Sequence, residues 1–153
     1  MSRLWIMRHG EAAPGSPDSA RELTPHGERQ ATSMARCLAQ EQDGDAGVTR
    51  IVASPYRRAR QTAALMGEAL GIGVETLSGI TPDDSPQAFC DWLINQSGNL
   101  LVVSHMPLVG ALAGLLVEGR EDQGRPFPAA GIAELEADVW AGGCARLVSF
   151  SAP

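Results

Sequence analysis

Apolar residues follow two alternating rhythms along the chain. Leu4–Met7, Arg50–Ser54 and Asn99–Ser104 contain short, nearly continuous apolar runs, as expected of strands buried on both faces. Val74–Leu77 is a weaker run of the same kind. Between these runs the spacing becomes helical. Ala31, Met34, Ala35 and Leu38 recur at i, i+3, i+4 and i+7 behind Thr24-Pro25, an N-cap followed by proline, which predicts a helix from Pro25 to about Gln42. Pro55 is expected to open a second helix, with Ala59, Ala63, Met66 and Leu70 facing inward and Gly71 ending it. Ser85-Pro86 caps a third, striped by Phe89, Trp92 and Leu93. Pro107 starts a fourth that is apolar almost throughout to Val117. A charged loop, Glu118–Pro128, leads to two closing strands, Gly131–Ala137 and Cys144–Phe150, arranged as a hairpin.

The order βαβαβαβ followed by ββ predicts the α/β class. The expectation is one three-layer α/β/α domain over residues 1–153. Its sheet is mainly parallel, with helices on both faces and a C-terminal antiparallel addition.

Composition narrows the picture. Twelve basic against 18 acidic side chains leave a net charge of −6, which argues against a nucleic-acid footprint and makes any local arginine cluster more informative. No stretch reaches the roughly 18 apolar residues of a membrane span. The apolar run at the N-terminus is too short for a secretory h-region. Cys37, Cys90 and Cys144 form no CxxC pair and are expected to be reduced thiols. These features point to a cytoplasmic protein without a membrane or nucleic-acid partner, expected to act as a monomer.

In open α/β sheets ligands bind beyond the carboxyl ends of the strands. There the first strand delivers Arg8-His9-Gly10-Glu11 and the second Ser54-Pro55-Tyr56-Arg57-Arg58. The strand ending at Ser104 delivers His105-Met106-Pro107, and the weak third leads to Thr81-Pro82-Asp83-Asp84. Parallel strands share one edge, so two histidines and at least two arginines should converge. Arginine matches phosphate oxygens with a planar fork of donors. Neutral imidazole is a good nucleophile toward phosphorus, and neighbouring cations help keep it neutral. Which ring nitrogen attacks depends on what the other one donates to. A second histidine can donate to a phosphoryl oxygen, and the helices after Ser54 and Ser104 could add amide donors. The set points to phosphoryl transfer through a phosphohistidine.

Three motifs, "MRHGE", "SPYRRARQT" and "VVSHMPLVG", together resemble the histidine phosphatase (phosphoglycerate mutase-like) superfamily over nearly the whole chain. The short chain, "RELTPHGERQA" and "SHMPLVG" look most like its bacterial phosphohistidine phosphatase branch, the SixA type. The resemblance implies that His9 is the phosphorylated nucleophile. It makes Arg8 and Arg58 the phosphate-binding arginines, His105 the second histidine and Arg21 a further arginine near the phosphate. It implies no metal and no organic cofactor. The implied partner is a phosphorylated protein domain of the histidine phosphotransfer type, or else a small phosphorylated substrate.

The general acid separates the branches. Alkoxide leaving groups need protonation, whereas imidazole leaves with less help. "SGITPDDSPQ" lacks the glutamate of the mutase pattern, leaving Asp83 or Asp84 as possible acids, or simply as turn and helix-start charges. A small-molecule phosphomonoesterase and a non-catalytic phosphate-binding module are the competing readings. Arg57, Arg60 and His26 read as solvated, and Trp5, Trp92 and Trp140 as packing. A metal site built from His9, His26 and His105 lacks ligand spacing on any one element. Gly10 is expected to let the backbone turn close to a bound phosphoryl group. Glu11 has no assigned role.

Overall fold

A computed structural model describes residues 1–153. The strands are β1 (Ser2–Arg8), β2 (Arg50–Ala53), β3 (Val74–Thr76), β4 (Leu100–Ser104), β5 (Ile132–Ala137) and β6 (Arg146–Ser151). The helices are α1 (Pro25–Gln40), α2 (Arg57–Leu70), α3 (Pro86–Leu93) and α4 (Leu108–Glu118). One six-stranded sheet runs β3-β2-β4-β1-β5-β6. The first four of these are mutually parallel, and β5 and β6 join antiparallel. This is the expected α/β class with its antiparallel addition.

Strand alternation divides the core into two halves. Leu4, Ile6, Leu100 and Val102 face α3 and α4, packing with Phe89, Leu93, Leu112 and Leu116. Trp5, Met7, Leu101 and Val103 face α1 and α2, packing with Met34, Leu38, Ala63 and Met66. Both faces of β4 are therefore covered, which is why its sequence reads as an unbroken apolar run. No helix is long and apolar enough to cross a membrane.

Several boundaries move, for local reasons. α2 starts at Arg57 instead of Pro55, because Ser54 Oγ accepts the Tyr56 N–H at 3.2 Å and holds Pro55 in a turn. α1 ends at Gln40, where the Glu41 N–H closes a tighter turn on the Leu38 carbonyl. α4 begins at Leu108, with Pro107 as its cap. The closing hairpin shifts to Ile132–Ala137 and Arg146–Ser151, with an irregularity at Glu134/Leu135. Residues 10–24 form an organised loop, holding an Ala12–Leu23 bridge and a 3-10 turn at Asp18–Ala20.

Candidate active site

Sheet register brings the two histidines together. Arg8 on β1 pairs with Ser104 on β4, and the His9 N–H continues the ladder onto the Ser104 carbonyl at 3.1 Å. His9 and His105 are thus consecutive steps past two adjacent strand ends. Their ring centroids lie 5.1 Å apart, edge to face. Ser54 arrives by the same logic, since its N–H bonds the Val103 carbonyl at 3.0 Å.

The two histidines border an open cleft of about 440 Å³, lined also by Arg8, Arg21, Arg58, Asp18, Glu11 and Pro82, with Ser54 buried behind it. His9 Nδ1 donates to the Gly10 carbonyl at 2.7 Å, because a carbonyl only accepts. Nε2 therefore carries the ring's lone pair, and Arg58 Nε donates to it at 3.2 Å. Burial pulls the His9 pKa down to about 4; Arg58, Arg8 and Arg21 add to the shift, and the Gly10 bond opposes it. His105 is drawn down to about 3, first by burial, then by His9 and Arg58. Both rings are neutral at physiological pH.

The arginines are held from behind. Arg58 Nη1 donates to the Asp18 carbonyl at 2.7 Å, and Nη2 to the Asp18 carboxylate at 3.1 Å. Arg21 Nη1 donates to the same carboxylate at 2.9 Å, with its Nε on the Ala13 carbonyl at 2.8 Å. Arg8 Nη1 donates to the Phe127 carbonyl at 2.8 Å, while burial and Arg58 lower its pKa. Only two buried side-chain nitrogens or oxygens in the chain lack a partner. They are Arg8 Nε and His105 Nδ1, and both residues line the cleft. Buried polar groups are ordinarily satisfied, so this pairing marks a place suited to a polar ligand, with at least an acceptor facing Arg8 Nε.

The five expected residues, Arg8, His9, Arg21, Arg58 and His105, all meet in this cleft. Asp83 and Asp84 do not line it; they border a neighbouring cavity. Asp84 accepts from Thr81 N at 2.8 Å and Thr81 Oγ1 at 2.6 Å, which keeps its carboxyl below the usual range. Asp83 is exposed. Gly10 lines the cleft and is subject to a further constraint. A Cβ on Gly10 would lie 2.5 Å from the Gly27 carbonyl oxygen, so it is the first turn of α1 that demands a glycine. Glu11 serves that same junction. Its carbonyl accepts the Thr24 N–H at 3.0 Å, its N–H donates to Gln30 Oε1 at 2.9 Å, and its carboxylate accepts from Thr24 Oγ1 at 3.2 Å.

Two of the helix-start amides are already taken, Ala59 N by the Tyr56 carbonyl at 3.1 Å and Val109 N by the His105 carbonyl at 2.9 Å. Arg57 is exposed and paired with Glu22 at 3.0 Å, and His26 is exposed. No group of three or more His, Cys, Asp or Glu side chains is placed to hold a metal ion. Sequence reasoning missed Asp18 and Ser54. A carboxylate three residues before Arg21 was the available signal for Asp18; Ser54 had none beyond its place at a strand end.

Sheet order and cleft together describe an α/β/α protein with a cationic, imidazole-bearing cleft at its carboxyl edge. The sequence profile of the histidine phosphatase superfamily (branch 1) matches residues 4–81. The phosphohistidine phosphatase SixA of Escherichia coli (strain K12) is 35% identical over 124 residues, covering 76% of this chain and 75% of that protein. A SixA homolog of Haemophilus influenzae is 32% identical over 160 residues, covering 97% and 94%. The solved structure of the protein histidine phosphatase SixA complexed with tungstate superposes with a TM-score of 0.86 at 31% identity, covering 99% of this chain and 97% of that one. The chain belongs to the histidine phosphatase superfamily, in its SixA-type branch.

Proposed function

We propose that this protein is a phosphohistidine phosphatase, with His9 as the transient phosphate carrier. The observation that carries the reading is the His9 ring itself, neutral and with Nδ1 committed to Gly10, so that the Nε2 lone pair faces Arg58. His9 Nε2 attacks the substrate phosphorus while the substrate P–N bond breaks. The substrate ring leaves as neutral imidazole once its far nitrogen carries a solvent proton, so the protein need supply no acid. Arg8, Arg21 and Arg58 balance the charge on the phosphoryl oxygens, and His105 donates to one of them. Water then cleaves phospho-His9 to inorganic phosphate and restores the ring.

The substrate we assign is a phosphorylated protein domain of the histidine phosphotransfer type. An open cleft suits a side chain presented by another protein, and the relatives named above are phosphohistidine phosphatases. Tungstate, which one relative binds, is a tetrahedral oxyanion like phosphate. The chain's three free thiols fit a reducing cytoplasm. A small-molecule phosphomonoesterase is less well supported, because Asp84 is committed to Thr81 and Asp83 lies outside the cleft. Purified protein should release phosphate from a phosphohistidine protein and accumulate label on His9 in a rapid quench. His9→Ala should abolish both, and undiminished turnover in that variant would refute the assignment.

A further inference from the structure

We infer that Ser54 is a positioning residue that sets the tautomer of His105, so that its Nδ1–H is the proton offered to the transferring phosphoryl group. The inference rests on the phosphatase reading for its purpose, but its geometry is independent of that reading. Ser54 Oγ lies 2.7 Å from His105 Nε2, and Ser54 has no solvent exposure. The hydroxyl already accepts the Tyr56 N–H at 3.2 Å. No other acceptor lies within hydrogen-bond distance of the buried hydroxyl, so its proton has Nε2 as its only protein target. A hydroxyl proton on Nε2 requires a lone pair there, and in a neutral imidazole the ring proton must then sit on Nδ1.

That nitrogen is one of the two buried side-chain atoms in the chain without a partner, on a ring that lines the cleft and meets His9 edge to face. Tyr56, whose ring centroid lies 5.1 Å from that of His105, packs against the imidazole and limits its rotation. The two histidines are thus set as complements. A backbone carbonyl makes His9 bare at Nε2, and a serine hydroxyl makes His105 a donor at Nδ1. No proton leaves His105; the ring only donates a hydrogen bond. The turn that delays α2 to Arg57 is the same turn that fixes the Ser54 side chain beside the His105 ring.

The test combines ring-nitrogen NMR with kinetics. In 15N-histidine-labelled wild-type protein at pH 7, His105 should show a protonated Nδ1 and a bare Nε2, with its resonances identified by their loss in His105→Gln. In Ser54→Ala the ring should shift toward a mixture of tautomers. kcat on a phosphohistidine protein should then fall about tenfold to a hundredfold, the worth of one hydrogen bond to a charged group, with KM changing much less. An Nε2–H or doubly protonated His105 in the wild type overturns the inference without any variant. So does an unchanged tautomer in folded Ser54→Ala. Absence of phosphate release by the wild type would instead strike the functional reading and leave the tautomer result standing.

Discussion

Gly10 and Gly27 meet backbone against backbone, the strand-end loop that carries His9 lying on the first turn of α1. A Cβ on Gly27 would come within 2.1 Å of the Glu11 carbonyl oxygen, so neither position has room for even a methyl group. The contact links helix capping to chemistry. Thr24 caps α1 by accepting the Gly27 N–H at 2.9 Å, and the Gly10 carbonyl orients the His9 ring.

Gly27→Ala should therefore damage both stability and turnover. Overpacking against backbone costs about 1–3 kcal/mol, a melting temperature lower by roughly 3–10 °C. Phosphatase activity at 25 °C should fall more than the folded fraction does. Gly73→Ala is the control, since a Cβ there meets nothing within 4 Å. Equal melting temperatures for the two variants would contradict the close approach.

Asp18 grips Arg58 and Arg21 at once, and Asp18→Ala should loosen both arginines. Its carboxylate is exposed, so the expected loss is modest, about 1 kcal/mol or roughly fivefold. The loss should appear mainly in KM and in the inhibition constant of tungstate. An Asp18 variant that binds tungstate more tightly would mean that the carboxylate competes with the ligand for the arginines.

Acid should destabilise the fold well before the carboxylates titrate. His9 and His105 have folded pKa values of about 4 and about 3, below the unfolded value near 6.5. Between those limits the unfolded chain binds more protons. The stability these neutral rings contribute is complete above about pH 6.5. It is lost progressively as pH falls toward 4 and then 3. Urea midpoints measured from pH 7 to pH 4 should decline steadily, and a flat profile over that range would contradict the neutral pair.

Asp84→Asn should weaken the turn at Thr81 while leaving phosphohistidine turnover within about twofold, and Asp83→Asn should do even less, as expected of surface substitutions. A loss of tenfold or more on ester substrates in either variant would revive the phosphomonoesterase reading.

Much of this was legible in the chain. Unbroken apolar runs marked the buried strands, because a strand covered on both faces has no polar side to display. The carboxyl-edge rule then placed Arg8, His9, Arg58 and His105 together, because those residues directly follow strands or open a helix behind one. Local pattern and topology suffice for such statements. The ring nitrogens, the hold of Asp18 on two arginines, the Ser54 hydroxyl, the Phe127 carbonyl on Arg8 and the capture of Asp84 by Thr81 were not legible. These are hydrogen bonds near 3 Å, mostly between segments far apart in sequence, made by loop residues that carry no periodicity. Whether they form depends on the path of the loops and on the Arg8–Ser104 register, which only the packed sheet and helices decide.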